Sequence, residues 1–172
     1  FQNNLAGLDR VLDLLDELEL AGNTVVAFTS DNGPTYDRLG GSDSDFFRSA
    51  GELRGLKGSL YEGGIRVPLV VRWPDAIAAG GVSDHVCALW DVLPTVLDLV
   101  GAPIPAGGDG ISYAPALRGE SEQPAHEYLY WEFPSYGHQQ AVRWGNWKGV
   151  RQRLLKENKA RTLELYHLGE DP

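Results

Sequence analysis

Val25-Val26-Ala27-Phe28-Thr29-Ser30-Asp31-Asn32-Gly33 is an apolar, β-branched run that stops at a carboxylate, a carboxamide and a glycine. Continuous rather than alternating apolarity predicts a strand covered on both faces, as in a parallel sheet. In such sheets ligands sit beyond the carboxyl ends of the strands, which puts Asp31 and Asn32 at the binding end. Their side chains offer the hard oxygen donors that Ca²⁺ or Mg²⁺ takes. Asn-Gly is also a strong hairpin signal, so a tight turn is the competing reading of Asn32-Gly33. Against it, Pro34 follows at once, and residues 35–49 are polar and glycine-dotted, unlike a returning strand.

Upstream of this run, Leu5, Leu8, Leu12, Leu15 and Leu18 recur at three- and four-residue steps with Asp9, Asp13, Asp16 and Glu17 between them, the pattern of an amphipathic helix. Ala21-Gly22-Asn23 predicts its left-handed stop. A helix feeding such a strand is half of a βαβ repeat whose earlier strands are expected before Phe1. Downstream, the loop from Pro34 to Glu52 has the length and polarity of an active-site loop. The segment Leu53 to Pro68 carries Lys57, Glu62 and Arg66 among four glycines. It reads as a flexible surface loop or as a rigid anion-handling one, and composition leaves both open.

Leu69 to Trp73 predicts a second buried strand closed by Pro74, and Val86 to Val100 a second helix with Pro94 near its first turn and Gly101 as its stop. Cys87 on that stretch reads as a packed core thiol. Gly101 to Gly110 is a Pro/Gly-rich loop. From Pro124 the texture changes to short aromatic or β-branched segments at 127–133, 140–143, 147–151 and 163–168, which predict a small antiparallel sheet. Its aromatic cluster is either core or a sugar platform. The expected organisation is an α/β part over residues 1–122, with a mostly parallel sheet flanked by helices, and an antiparallel C-terminal subdomain over 123–172.

Composition narrows the function. At 172 residues, 42% hydrophobic and 23% charged, the chain can build one ordinary core. A net charge of −9 argues against general nucleic-acid binding, and no apolar run approaches the roughly 20 residues of a membrane span. Seven basic residues between Arg143 and Arg161 face a single acid, Glu157, and read as a solvated face or as a contact for an anionic substrate. The lone Cys87 excludes an internal disulfide. With Phe1 first and no methionine anywhere, the chain is expected to be a piece of something longer.

Thr29-Ser30-Asp31-Asn32-Gly33, Leu53-Arg54-Gly55-Leu56-Lys57, Tyr61-Glu62-Gly63-Gly64-Ile65-Arg66-Val67-Pro68, Asp91-Val92-Leu93-Pro94-Thr95, Gln140-Ala141-Val142-Arg143 with Trp147-Lys148, and Leu165-Tyr166 with Asp171-Pro172 follow one another in an order that resembles the C-terminal half of the formylglycine-dependent sulfatases, in the alkaline-phosphatase superfamily. The resemblance covers almost the whole chain. It implies hydrolysis of sulfate esters of a carbohydrate or aryl alcohol, with Ca²⁺ (Mg²⁺ possible) held in part by Asp31 and Asn32. It also implies a catalytic, sulfate-binding role for Lys57, and His138 is the candidate for a further substrate contact at the pocket rim. The expected partner is a sulfated small molecule or glycan, in an exported setting: periplasmic, extracellular or lysosomal.

The nucleophile motif of that family, Cys/Ser-x-Pro-x-Arg, is absent: Cys87 is followed by Ala88-Leu89-Trp90-Asp91. The formylglycine is therefore expected in an N-terminal half encoded upstream or carried by an associated chain, and this chain alone is expected to be inactive. Alternatives are a phosphodiesterase or phosphonate monoester hydrolase of the same superfamily, or a non-catalytic remnant that binds sulfated glycans.

Overall fold

The computed structural model describes residues 2–35, 43–155 and 162–171. The middle of the predicted active-site loop (36–42) and Lys156, Lys159 and Arg161 of the basic run lie outside the described residues. In chain order the elements are α1 (Gln2–Glu17), β1 (Val26–Thr29), α2 (Glu62–Ile65), β2 (Leu69–Arg72) and α3 (Val92–Leu99). They continue with α4 (Ala114–Arg118), β3 (Leu129–Phe133), β4 (Gln139–Trp144), β5 (Trp147–Arg151) and β6 (Glu164–His167). Two compact units interleave: Phe1–Phe28 with Leu69–Ala125, and Thr29–Pro68 with His126–Pro172.

In the first unit, α1 half-buries Leu8, Leu12 and Leu15 and exposes Val11 and Leu14. Its stop differs from the expected one. Glu19, not a glycine, takes the left-handed conformation (φ 58°), and the Glu19 and Leu20 N–H groups bond to the Asp16 and Leu15 carbonyls, the paired bonds of a Schellman end. Gly22 has a different task. The Trp73 indole N–H donates to its carbonyl at 2.7 Å, and a Cβ there would lie 2.4 Å from Asp75 Oδ2. A side chain at 22 would therefore have to displace the Asp75 carboxylate.

Strands β1 and β2 are neighbours in a two-stranded sheet. The expectation that they are buried on both faces is not met among the described residues: Phe28 is 38% and Val70 61% exposed. Both strands are apolar, but burial needs a covering element, which local sequence does not reveal.

The predicted second helix is shorter than expected. A 3-10 turn at Leu89–Asp91 leads into α3, which ends at Gly101 (φ 69°) as anticipated. Asp91, 1% exposed, organises this region. Its Oδ2 accepts the Ala88 N–H at 2.7 Å and its Oδ1 the Ile111 N–H at 2.8 Å. Thr95 donates to the Asp91 carbonyl and accepts from the Tyr113 N–H, which seats α4 against α3. One carboxylate thereby closes a loop of 20 residues.

The second unit contains the four-stranded antiparallel sheet in the order β3-β4-β5-β6, as the alternating segments predicted. Trp131, Ala141, Val150 and Glu164 lie in one register row, and Tyr130, Val142, Gly149 and Leu165 in the next. The inward face packs Ala141 and Val150 against Leu60 and Tyr61, with Trp131, Phe133, Ile65 and Tyr166 around them. Trp144, Trp147, Tyr128 and Tyr130 stay exposed. The aromatic cluster therefore divides between core and surface.

Asp91→Ala should leave the Ala88 and Ile111 N–H groups without an acceptor and destabilise the chain by about 2 kcal/mol in urea unfolding. Asp91→Asn keeps one carbonyl oxygen and should lose about half as much.

Candidate functional site

Asp31, Asn32 and Lys57 lie on two backbone segments of the second unit that are tied directly together. The Ser30 hydroxyl donates to the Asn32 carbonyl at 2.7 Å, and the Asn32 Nδ2 group donates to the Gly33 carbonyl at 3.0 Å. These bonds orient the carboxamide and leave its Oδ1 without a donor among the described residues. The Gly33 N–H then crosses to the Gly64 carbonyl at 2.8 Å. A Cβ on Gly33 would lie 1.9 Å from the Gly63 carbonyl oxygen, and one on Gly63 2.1 Å from that of Gly55. No side chain fits at either position, so the competing hairpin reading of Asn32-Gly33 gives way to backbone packed on backbone.

One residue further on, the Pro34 carbonyl accepts the Lys57 N–H at 2.8 Å. Lys57 and Asp31 are exposed, and Asn32 is half-buried. The segment that carries Lys57 is thus hydrogen-bonded along its length, from Lys57 to Pro34, from Gly63 to Arg54 and from Gly33 to Gly64.

His138 stands at the end of the turn into β4 with a left-handed backbone (φ 65°), and its Nε2 meets Glu132 Oε1 at 2.6 Å. That contact, with the Tyr130 hydroxyl at 3.0 Å from the other carboxylate oxygen, holds the Glu132 carboxyl below its usual range. The adjacent Gln139 points inward and bonds the loop just after Lys57: Nε2 donates to the Gly58 carbonyl at 2.9 Å and Oε1 accepts the Leu60 N–H at 3.3 Å.

Two further groups depart from the expected picture, and Lys148 of the basic run lies neither on a solvated face nor open to an anion. Lys148 Nζ meets Glu62 Oε1 at 2.6 Å with both residues buried, at 1% and 6% exposure. Burial pulls the Lys148 ammonium below the ordinary lysine range, and the Glu62 carboxylate opposes that shift. Strand alternation would have turned Lys148 inward once Trp147 was assigned outward. The second group surrounds Glu164, which accepts from the Tyr61 hydroxyl at 2.7 Å, from Arg54 Nη1 at 3.1 Å and from the Tyr166 hydroxyl. The Arg54 guanidinium lies 4.0 Å from the centre of the Tyr61 ring. Burial foremost, then Glu164, pushes the Tyr61 phenol far above its ordinary value. Although partial burial works against it, donation from Tyr166, Tyr61 and Arg54 keeps the Glu164 carboxyl below the usual range.

Arg54, Tyr61, Glu62, Lys148, Tyr166, Leu168 and Asp171 enclose a cavity of about 40 Å³, room for a water rather than for an ester. These two groups therefore hold the scaffold together, whereas Asp31 and Lys57 are exposed and Asn32 half-buried.

Among the described residues no cluster of three or more His, Cys, Asp or Glu side chains could hold a metal. Asp31 and Asn32 together offer carboxylate and carboxamide oxygens, fewer than the six to eight that Ca²⁺ gathers. The donor chemistry fits a hard cation, as part of a larger cage.

Removing one partner of the buried pair strands the other as a lone charge. Lys148→Met should destabilise by about 3 to 5 kcal/mol in denaturant unfolding, and the double change Lys148→Met/Glu62→Gln should recover most of that. The depressed Glu164 carboxyl contributes stability that is present above its unfolded-state value and is lost as pH falls through its folded-state value. Acid unfolding should therefore begin below about pH 4.5, and Glu164→Gln should flatten it in a pH series of melting curves.

The sulfatase family profile matches residues 6–102, and that of the N-sulphoglucosamine sulphohydrolase C-terminal region matches residues 56–172. Steryl-sulfatase from Mus musculus is 44% identical over 146 residues, which is 84% of this chain and 23% of that protein. The chain therefore spans about a quarter of the length of this curated relative. The solved structure of BT4656 in complex with its substrate D-glucosamine-2-N,6-O-disulfate aligns with a TM-score of 0.72 at 26% identity, covering 95% of this chain and 31% of that one. The phosphonate monoester hydrolase of Agrobacterium radiobacter aligns at 0.67 and 23% identity, over 96% and 32%, a likeness of fold alone. With profile matches over more than half its length, the chain belongs to the sulfatase family and has the α/β fold of the alkaline-phosphatase superfamily.

Proposed function

We propose that this chain is the C-terminal portion of a sulfatase that hydrolyses sulfate esters of a carbohydrate or aryl alcohol. The observation that carries the reading is the junction of Gly33, Gly64, Pro34 and Lys57, which ties an oxygen-donor pair and an ammonium into one backbone unit. Asp31 and Asn32 supply part of the cage of a Ca²⁺ ion, which when bound polarises a sulfate oxygen and neutralises its charge. Lys57 contacts the sulfate, balancing charge on its equatorial oxygens or on the departing alkoxide oxygen. His138, held by Glu132, lies one residue from the side chain that bonds the Lys57 loop and is the further substrate contact.

The nucleophile, a formylglycine, comes from an N-terminal half outside this chain. The sulfated sugar bound to BT4656 supports a sulfated glycan or small molecule as substrate class. An exported setting goes with this reading. The phosphonate monoester hydrolase alignment, being a likeness of fold alone, leaves the ester to be decided by assay.

The chain alone should not turn over a chromogenic aryl sulfate. Joined to its N-terminal half it should hydrolyse the sulfate faster than the matching phosphate or phosphonate ester. Asp31→Ala should weaken Ca²⁺ binding by calorimetry, and Lys57→Ala should lower kcat/KM by about a hundredfold, in the range seen when one charge-stabilising donor is removed. Turnover by the isolated chain, or preference for the phosphorus esters, would overturn the proposal.

A further inference from the structure

We infer that Gln139 is a positioning residue for Lys57: from β4 its buried carboxamide grips the loop on which that ammonium stands. The inference rests on the reading of Lys57 as the sulfate contact. Gln139 is 4% exposed, and both ends of its amide are used on main-chain atoms of one short loop, Gly58 O and Leu60 N. Gly58 follows Lys57 directly and takes φ 84°. On its other side, the Lys57 N–H is bonded to the Pro34 carbonyl. Lys57 is thus held between the Asp31-Asn32 segment and a side chain of the C-terminal sheet.

The residue type matters because a carboxamide donates and accepts at once, whereas a carboxylate only accepts and an ammonium only donates. An apolar side chain at 139 would leave a carbonyl and an N–H unmatched in a closed interior. The anchor is rigid, since β4 is paired to β3 on one side and to β5 on the other. Gln139 itself is paired with Phe133 of β3, and the next residue, Gln140, with Arg151 of β5. The Lys148–Glu62 pair ties the same segment to the sheet four residues further along. The arrangement has the form expected of a binding group placed by side chains on a stiff element rather than by its own loop.

Two substitutions separate positioning from packing. In Gln139→Leu, amide hydrogen exchange of the chain should show protection at Lys57 and Leu60 reduced about tenfold, with Val150 on β5 unaffected. Gln139→Glu supplies the conservative comparison. Its protonated carboxyl presents one donor and one acceptor, as the amide does, and its ionised form only acceptors. Protection at Lys57 in that variant should match the unaltered chain near pH 4 and fall as pH rises towards about 7.

In the joined enzyme, Gln139→Leu should lower kcat for an aryl sulfate about tenfold with less change in KM. Unchanged protection at Lys57 in both variants would overturn the inference. So would protection that falls equally at Lys57 and Val150, the mark of general loosening, or a kcat that stays put while Lys57 is freed. The exchange arm does not depend on turnover, so an inactive joined protein would refute the sulfatase reading and leave the grip of Gln139 on the loop intact.

Discussion

Where Gly33 meets Gly63 and Gly64, main chain presses on main chain with no side chain between. The 2.8 Å bond from the Gly33 N–H to the Gly64 carbonyl needs a residue without a Cβ at 33, where a methyl group would sit 1.9 Å from the Gly63 carbonyl oxygen, while Gly64 packs closely on the Ser59 carbonyl. Contact this close turns two loops into one body. Asp31 and Asn32 lie just before it on one strand of the junction, and Lys57 is bonded to Pro34 just after it. Loops without secondary structure are ordinarily the mobile parts of a fold. Here the glycines remove that freedom by letting loop backbones satisfy each other's hydrogen bonds.

The junction needs support from behind, and the antiparallel sheet supplies it. Leu60 and Tyr61 bury apolar surface against Ala141 and Val150, Gln139 bonds the backbone between Lys57 and Leu60, and Lys148 meets Glu62 at the start of α2. The charged tie is the most demanding of these. Taking an ammonium and a carboxylate out of water costs several kcal/mol per ion, which only close, well-aligned pairing offsets. Its use here makes the register of sheet and loop specific, because a slip of one residue on β5 would turn Lys148 outward and leave Glu62 unpaired in the interior. The C-terminal sheet therefore belongs to the site's scaffold.

Sequence periodicity revealed what depends on near neighbours. The four strands of the sheet were legible from their alternation and turns, and α1 and the Gly101 stop from their spacing; the end of the first apolar run pointed to Asp31 and Asn32, whereas Lys57 was suggested only by the resemblance to the sulfatases. What it missed depends on distant partners. Glu62 and Lys148 are 86 positions apart, and Gln139 and Gly58 are 81 apart, so local pattern can turn a side chain inward but cannot name its partner. Gly22 was read as a helix stop because glycine suits one. In the structure Gly22 instead lies against the Asp75 side chain, and Glu19 takes the left-handed place despite its Cβ. Continuous, non-alternating apolarity predicts double-sided burial of β1 and β2, but it reports how apolar a strand is and not what covers it.

The central claim is that one backbone junction holds the cation ligands and the ammonium in a fixed relation. A crystal structure of the chain joined to its N-terminal half, grown with Ca²⁺ and an unreactive sulfate analogue, tests this most directly. The account predicts Asp31 and Asn32 oxygens about 2.3 to 2.6 Å from the metal and Lys57 Nζ within about 3.2 Å of a sulfate oxygen. A metal bound elsewhere, or a sulfate seated out of reach of Lys57 while the Gly33–Gly64 contact is intact, would contradict it.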